Sequence, residues 1–70
     1  MDKLEEKIFD IIKEYQWEFQ TESIFSSIKK DINTYLDDSN FDFRCSLVDM
    51  KTNCLIINFD NSKQLNFQLN

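Results

Sequence analysis

The sequence predicts a two-layer α+β domain in which two N-terminal helices pack on a three-stranded antiparallel meander, in the order ααβββ. Three observations predict it. Apolar residues recur at three- and four-residue spacing through the first half of the chain, as on a helix with one buried stripe. From Phe41 onward they alternate at period two, as in strands with one buried face. The stretches between these patterns collect Asp, Ser and Asn, which favour turns. Seventy residues suffice for a single domain, residues 1–70, with one small core.

The first helix is expected from Asp2 to about Gln16. Leu4, Ile8, Ile11, Ile12 and Tyr15 form its stripe, Asp2 can serve as N-cap, and Glu5 three residues on completes a loose capping box. Tyr15-Gln16-Trp17-Glu18-Phe19-Gln20-Thr21 admits two readings. Its aromatics alternate as in an edge strand, yet Tyr15 and Phe19 also continue the helical stripe before a loop. A second helix should begin after Thr21 or Ser23, both good caps. Ile24, Phe25, Ile28, Ile32, Tyr35 and Leu36 would face the core, with Ser26, Lys29, Lys30, Asn33 and Thr34 toward water. It should stop within Asp37-Asp38-Ser39-Asn40.

Matching apolar faces sets the expected strand register, because a slip of one residue turns every side chain over. For the first hairpin this pairs Leu47 with Leu55, Cys45 with Ile57 and Phe43 with Phe59, around a loop centred on Met50-Lys51-Thr52. For the second it pairs Phe59 with Leu65, Ile57 with Phe67 and Leu55 with Leu69, around Asn61-Ser62-Lys63. The outer face would carry Val48, Cys54 and Ile56 among Ser46, Asn58, Gln64, Asn66 and Gln68. The core should join Phe43, Ile57, Phe59 and Phe67 to Ile8, Ile11, Ile28 and Ile32.

Composition narrows the chemistry. The chain has no Gly, Pro, Ala or His. The abundant Asn, Ile, Lys and Phe use AT-rich codons, whereas the missing Gly, Pro and Ala use GC-rich ones, so an AT-rich genome such as that of a low-GC bacterium or its phage is expected. Without Gly, Asn40, Asn53 and Asn61 are the candidates for left-handed turn positions, since Asn tolerates positive φ. A Gly-rich phosphate loop, a His-based nucleophile pair and a His-ligated metal site cannot be built. Cys45 and Cys54 fall on opposite sheet faces in the expected register, which argues against a disulfide and for a reducing compartment. No enzyme activity and no cofactor are expected.

A net charge of −5 with a single Arg opposes direct nucleic-acid binding. No apolar run nears the roughly 20 residues of a membrane span, and Met1-Asp2-Lys3-Leu4-Glu5-Glu6 is too acidic for a secretory leader. A cytoplasmic location is expected, in the host cell if the chain is phage-encoded. Asp2, Glu6, Asp10, Glu14, Glu18 and Glu22 recur every fourth residue, a ridge of like charge along one helix with carboxylates about 6 Å apart along its axis. The ridge is either a solvated face or a docking surface for a basic partner. Asp37 and Asp38, with Asp42 close behind, oppose a helix dipole and are either turn formers or a second acidic contact site. Calcium is a poor fit there, because the EF-hand spacing, its Gly and its closing Glu are missing. Trp17, between Glu14 and Glu18, is either a contact anchor or a core-closing aromatic.

The candidate partner-binding residues are therefore Asp10, Glu14, Trp17, Glu18, Asp37, Asp38 and Asp42. The expected role is that of a small acidic interaction protein, phage- or mobile-element-encoded, that inhibits a basic nucleic-acid-processing protein. The alternative is a structural protein forming a homo-oligomer, or a small subunit of an assembly, through a sheet edge or the outer face.

Overall fold

The computed structural model describes residues 3–15 and 22–68. Its elements are α1 (Lys3–Lys13), α2 (Glu22–Asp38), β1 (Cys45–Lys51), β2 (Cys54–Phe59) and β3 (Gln64–Gln68). The strands form one antiparallel sheet in the order β1-β2-β3, so the chain is α+β with the order ααβββ.

α1 is shorter than its apolar stripe. It ends at Lys13, and Glu14 and Tyr15 turn off it through N–H bonds to the carbonyls of Ile11 and Ile12. Leu4, Ile8 and Ile12 are buried, whereas Ile11 is only half-buried. The expected Asp2 cap, and residues 16–21 with their two readings, lie outside the described residues. α2 starts at Glu22, in line with a start after Thr21; Ser23 is inside the helix, its carbonyl accepting from the Ser27 hydroxyl.

α2 closes with a Schellman motif. Phe41 N–H donates to the Leu36 carbonyl and Asn40 N–H to that of Asp37, with Asn40 at φ 60° where Gly usually sits. The Phe41 ring then packs toward Tyr35, 6.3 Å between centroids. Phe43 lies 5.6 Å from Phe41 and 5.1 Å, edge-on, from Phe59, so a row of aromatics links the end of α2 to the sheet. Residues 41–44 are thus a connector, and the expected strand from Phe41 begins only at Cys45.

Both hairpins differ in register from the expected pairing. In the first, Lys51 pairs with Cys54, Met50 with Leu55 and Val48 with Ile57, around a two-residue turn, Thr52-Asn53. Both turn residues have positive φ, 50° and 59°, the pattern of a type I′ turn. A bulge between Cys45 and Leu47 then inserts one residue. Val48 is therefore buried and Leu47 is 51% exposed, the reverse of expectation, while Cys45 keeps its inward side. In the second hairpin Ile57 pairs with Leu65 and Leu55 with Phe67, two residues from the expected register, which leaves every face unchanged. Its loop is Asp60-Asn61-Ser62, closed by Phe59 N–H to the Lys63 carbonyl. Ser62, not Asn61, takes the positive φ at 70°. Asn61 acts through its side chain, which accepts from Lys63 N–H.

The helices cover one face of the sheet. Ile8, Ile12, Ile28, Ile32, Leu36, Cys45, Leu55 and Ile57 are the most deeply buried, with Phe59, Leu65 and Phe67 close behind; Phe43 is half-buried at the rim. Phe9 stacks on Phe67, 5.6 Å between centroids, which sets α1 over β3. Asn33 sets α2 against β1. It is half-buried rather than wet, and its amide both accepts from Cys45 N–H at 2.7 Å and donates to the Cys45 carbonyl at 3.3 Å. The side chain does there what a neighbouring strand would do. No helix is long and apolar enough to cross a membrane among the described residues.

Candidate functional site

The carboxylates do not form one ridge. Because α1 stops at Lys13, only Glu6 and Asp10 share its surface, Glu14 sits in the following turn, and Glu22 opens another helix. A different arrangement results. Lys7, Asp10, Ile11 and Glu14 from α1 and its turn face Asp31, Thr34, Tyr35 and Asp38 from α2 across an open groove of about 430 Å³. Both sets follow the spacing i, i+3, i+4, i+7, so each lies along one stripe adjacent to the core stripe, the first running from α1 into the turn after it.

Among the described residues, four carboxylates against one ammonium line this groove and make it anionic. Asp10, Glu14 and Asp38 are exposed, and Asp31 is half-buried. The floor is the half-buried Ile11 and Tyr35. The Tyr15 hydroxyl donates to Asp31 Oδ2, tying the turn after α1 to α2 and fixing one carboxylate in place. Thr34 donates its hydroxyl back to the Lys30 carbonyl at 2.9 Å. Lys13 is drawn away from the carboxylates, with its ammonium 4.7 Å from the centre of the Phe9 ring.

The predicted site residues therefore divide. Asp10, Glu14 and Asp38, which the sequence placed in two separate clusters, come together in the groove. Asp37 does not join them: it is ion-paired with Arg44 at 2.7 Å, which relieves its conflict with the dipole of α2. Asp42 is exposed in the connector, apart from the groove lining. Trp17 and Glu18 lie outside the described residues. The sequence reading missed Asp31. Its signal was present, since Asp31 and Asp38 are seven residues apart and must share a helix face.

The other reactive groups are poorly placed for chemistry. Burial pushes the Cys45 thiol up to about 11, against smaller opposing effects of Lys29 and of the Leu47 backbone. Cys54 is a half-buried free thiol on the other face. Among the described residues no cluster of His, Cys, Asp and Glu is arranged to hold a metal ion. No family model matches the chain, and neither curated proteins nor solved structures give a match.

Proposed function

We propose that this protein is a small acidic interaction module that binds and inhibits a basic, nucleic-acid-processing protein, with the groove carboxylates standing where that partner would hold phosphates. One observation carries the reading: two stretches of sequence, Lys7 to Glu14 and Asp31 to Asp38, converge to put Asp10, Glu14, Asp31 and Asp38 around one groove with a partly apolar floor. A cationic side chain entering it meets several carboxylates at once, while its methylene stem can lie on Ile11 and Tyr35. At longer range the net charge of −5 steers a cationic partner toward the chain. A non-enzymatic role agrees with the absence of His from the sequence and with a buried thiol that stays protonated at neutral pH. The AT-rich coding signature supports a phage or mobile-element origin, with the host cytoplasm as the place of action.

The test is affinity capture from host lysate by the wild type and by Asp10→Asn/Glu14→Gln/Asp31→Asn/Asp38→Asn, followed by affinities at two salt concentrations. Exposed ion pairs contribute roughly 0.2–1 kcal/mol each. Losing four carboxylates should therefore weaken binding about ten- to a hundredfold and flatten its salt dependence. Capture of the same protein with unchanged affinity and salt slope by the variant would exclude the groove.

A further inference from the structure

The two edges of the sheet are built differently. Along the β1 edge the bulge between Cys45 and Leu47 interrupts pairing, Asn33 occupies the N–H and carbonyl of Cys45, and the exposed face carries the ion pair Asp49–Lys51. These are devices that keep an edge from recruiting another strand. Among the described residues β3 has none of them. It is unbulged, and Gln64-Leu65-Asn66-Phe67-Gln68 holds no charge in a chain of net charge −5.

The direction of its backbone groups follows from the loop. Phe59 N–H donates to the Lys63 carbonyl, so Phe59, Ile57 and Leu55 exchange bonds with β3 at Lys63, Leu65 and Phe67. The N–H and carbonyl groups of Gln64, Asn66 and Gln68 must then point off the sheet, and all three residues are exposed. Such a row is self-complementary. Placed antiparallel to its own copy about Asn66, it sets Gln64 opposite Gln68 and Asn66 opposite Asn66, and every outward group falls at a hydrogen-bonded position. The amide side chains meet on the outer face, and Leu65 meets Phe67 on the inner one. No like charges within the strand oppose each other, which a second copy could not achieve against the acidic helices.

We infer that β3 is a homodimerisation edge, joining two copies through antiparallel β3–β3 pairing centred on Asn66 into one six-stranded sheet. The groove between α1 and α2 stays open in that dimer. Only five residues pair on each side, so the association should be concentration-dependent.

Sedimentation across a wide concentration series, together with amide exchange, tests this. Wild type should approach twice the monomer mass, and the N–H groups of Gln64, Asn66 and Gln68 should gain protection as concentration rises, while Leu65 and Phe67 stay protected throughout. Asn66→Lys sets two ammonium groups opposite each other, and Asn66→Pro removes only an outward N–H, a change an edge strand tolerates. Each should remain folded and lose at least tenfold in dimer affinity, whereas Leu47→Ser on the outer face should dimerise as wild type does. A wild type that stays monomeric at millimolar concentration would overturn the inference. So would a dimer that survives both Asn66 substitutions, or one that Leu47→Ser abolishes.

Discussion

The two hairpins share β2 yet answer to different rules. In the β2–β3 hairpin the observed pairing lies two residues from the one that apolar matching suggests, and Leu65 and Phe67 are buried all the same. In the β1–β2 hairpin the displacement is three residues between Leu47 and Lys51, and there the faces reverse. The bulge takes one residue back, so Cys45 faces inward again. Side-chain alternation is blind to an even slip and ruined by an odd one. The second hairpin was therefore safe against an error in its turn, and the first was not.

The largest expected effect tests what the hairpins share. Phe59 pairs with Cys45 on one side, closes the Asp60–Ser62 loop on the other and meets Phe43 edge-on. Phe59→Ala should cost about 3–5 kcal/mol in urea unfolding, a large part of the roughly 5–15 kcal/mol that a domain holds. A variant that melts within a few degrees of wild type would mean that the hairpins do not close on this residue.

Next comes the buried thiol at the bulged end. The Cys45 pKa is raised from 9.0 to about 11, so the folded state holds its proton more tightly than the unfolded chain does. The associated stability is fully present below pH 9 and is lost as pH rises through about 11, to an extent of roughly 3 kcal/mol. The informative quantity is the difference from Cys45→Ala. That variant should start less stable at pH 8 and lose less by pH 11. Parallel pH dependences would put Cys45 in water and remove the inward turn at the bulge.

The reversal of faces is itself testable, at a somewhat smaller scale. Val48→Ala should cost about 1–3 kcal/mol and Leu47→Ala less than about 0.5 kcal/mol, because only the first opens space in the core. The opposite ranking would restore the unbulged register.

These cases show what the sequence could carry. The ααβββ order, the buried stripes of both helices and the inward set Leu55, Ile57, Phe59 were legible because periodicity survives small shifts. The bulge was not, since Phe43, Cys45 and Leu47 alternate as well as Val48 and Met50 do, and the string contains both patterns without marking the switch. The end of α1 was hidden for a related reason. Tyr15 continues the stripe in space, through its bond to Asp31, after the helix itself has stopped. The groove was half legible: Asp10, Glu14 and Asp38 stood out as charges, but their meeting depends on how α1 and α2 are set side by side, which local spacing does not encode.

The smallest effect concerns the turn that sets the first register. Thr52 has φ 50°, and a β-branched residue is strained in that left-handed region, where its Cβ substituents crowd the backbone. Its neighbour Asn53, at φ 59°, is suited to the position. The chain contains no Gly, so the strain is accepted in exchange for a two-residue loop whose twist matches the flanking strands. Replacing Thr52 with Asn should relieve it without the added unfolded-state freedom that Gly would bring. About 1 kcal/mol of stabilisation is expected, read as a rise in Tm of roughly 4–8 °C for a domain of this size. Ser62→Asn, at φ 70° in the second hairpin, should give a smaller rise, because Ser is not β-branched. If Thr52→Asn leaves Tm unchanged while Ser62→Asn raises it, Thr52 is not in the left-handed region. The Thr52-Asn53 turn, and with it the odd displacement that puts Val48 inside, would have to be redrawn.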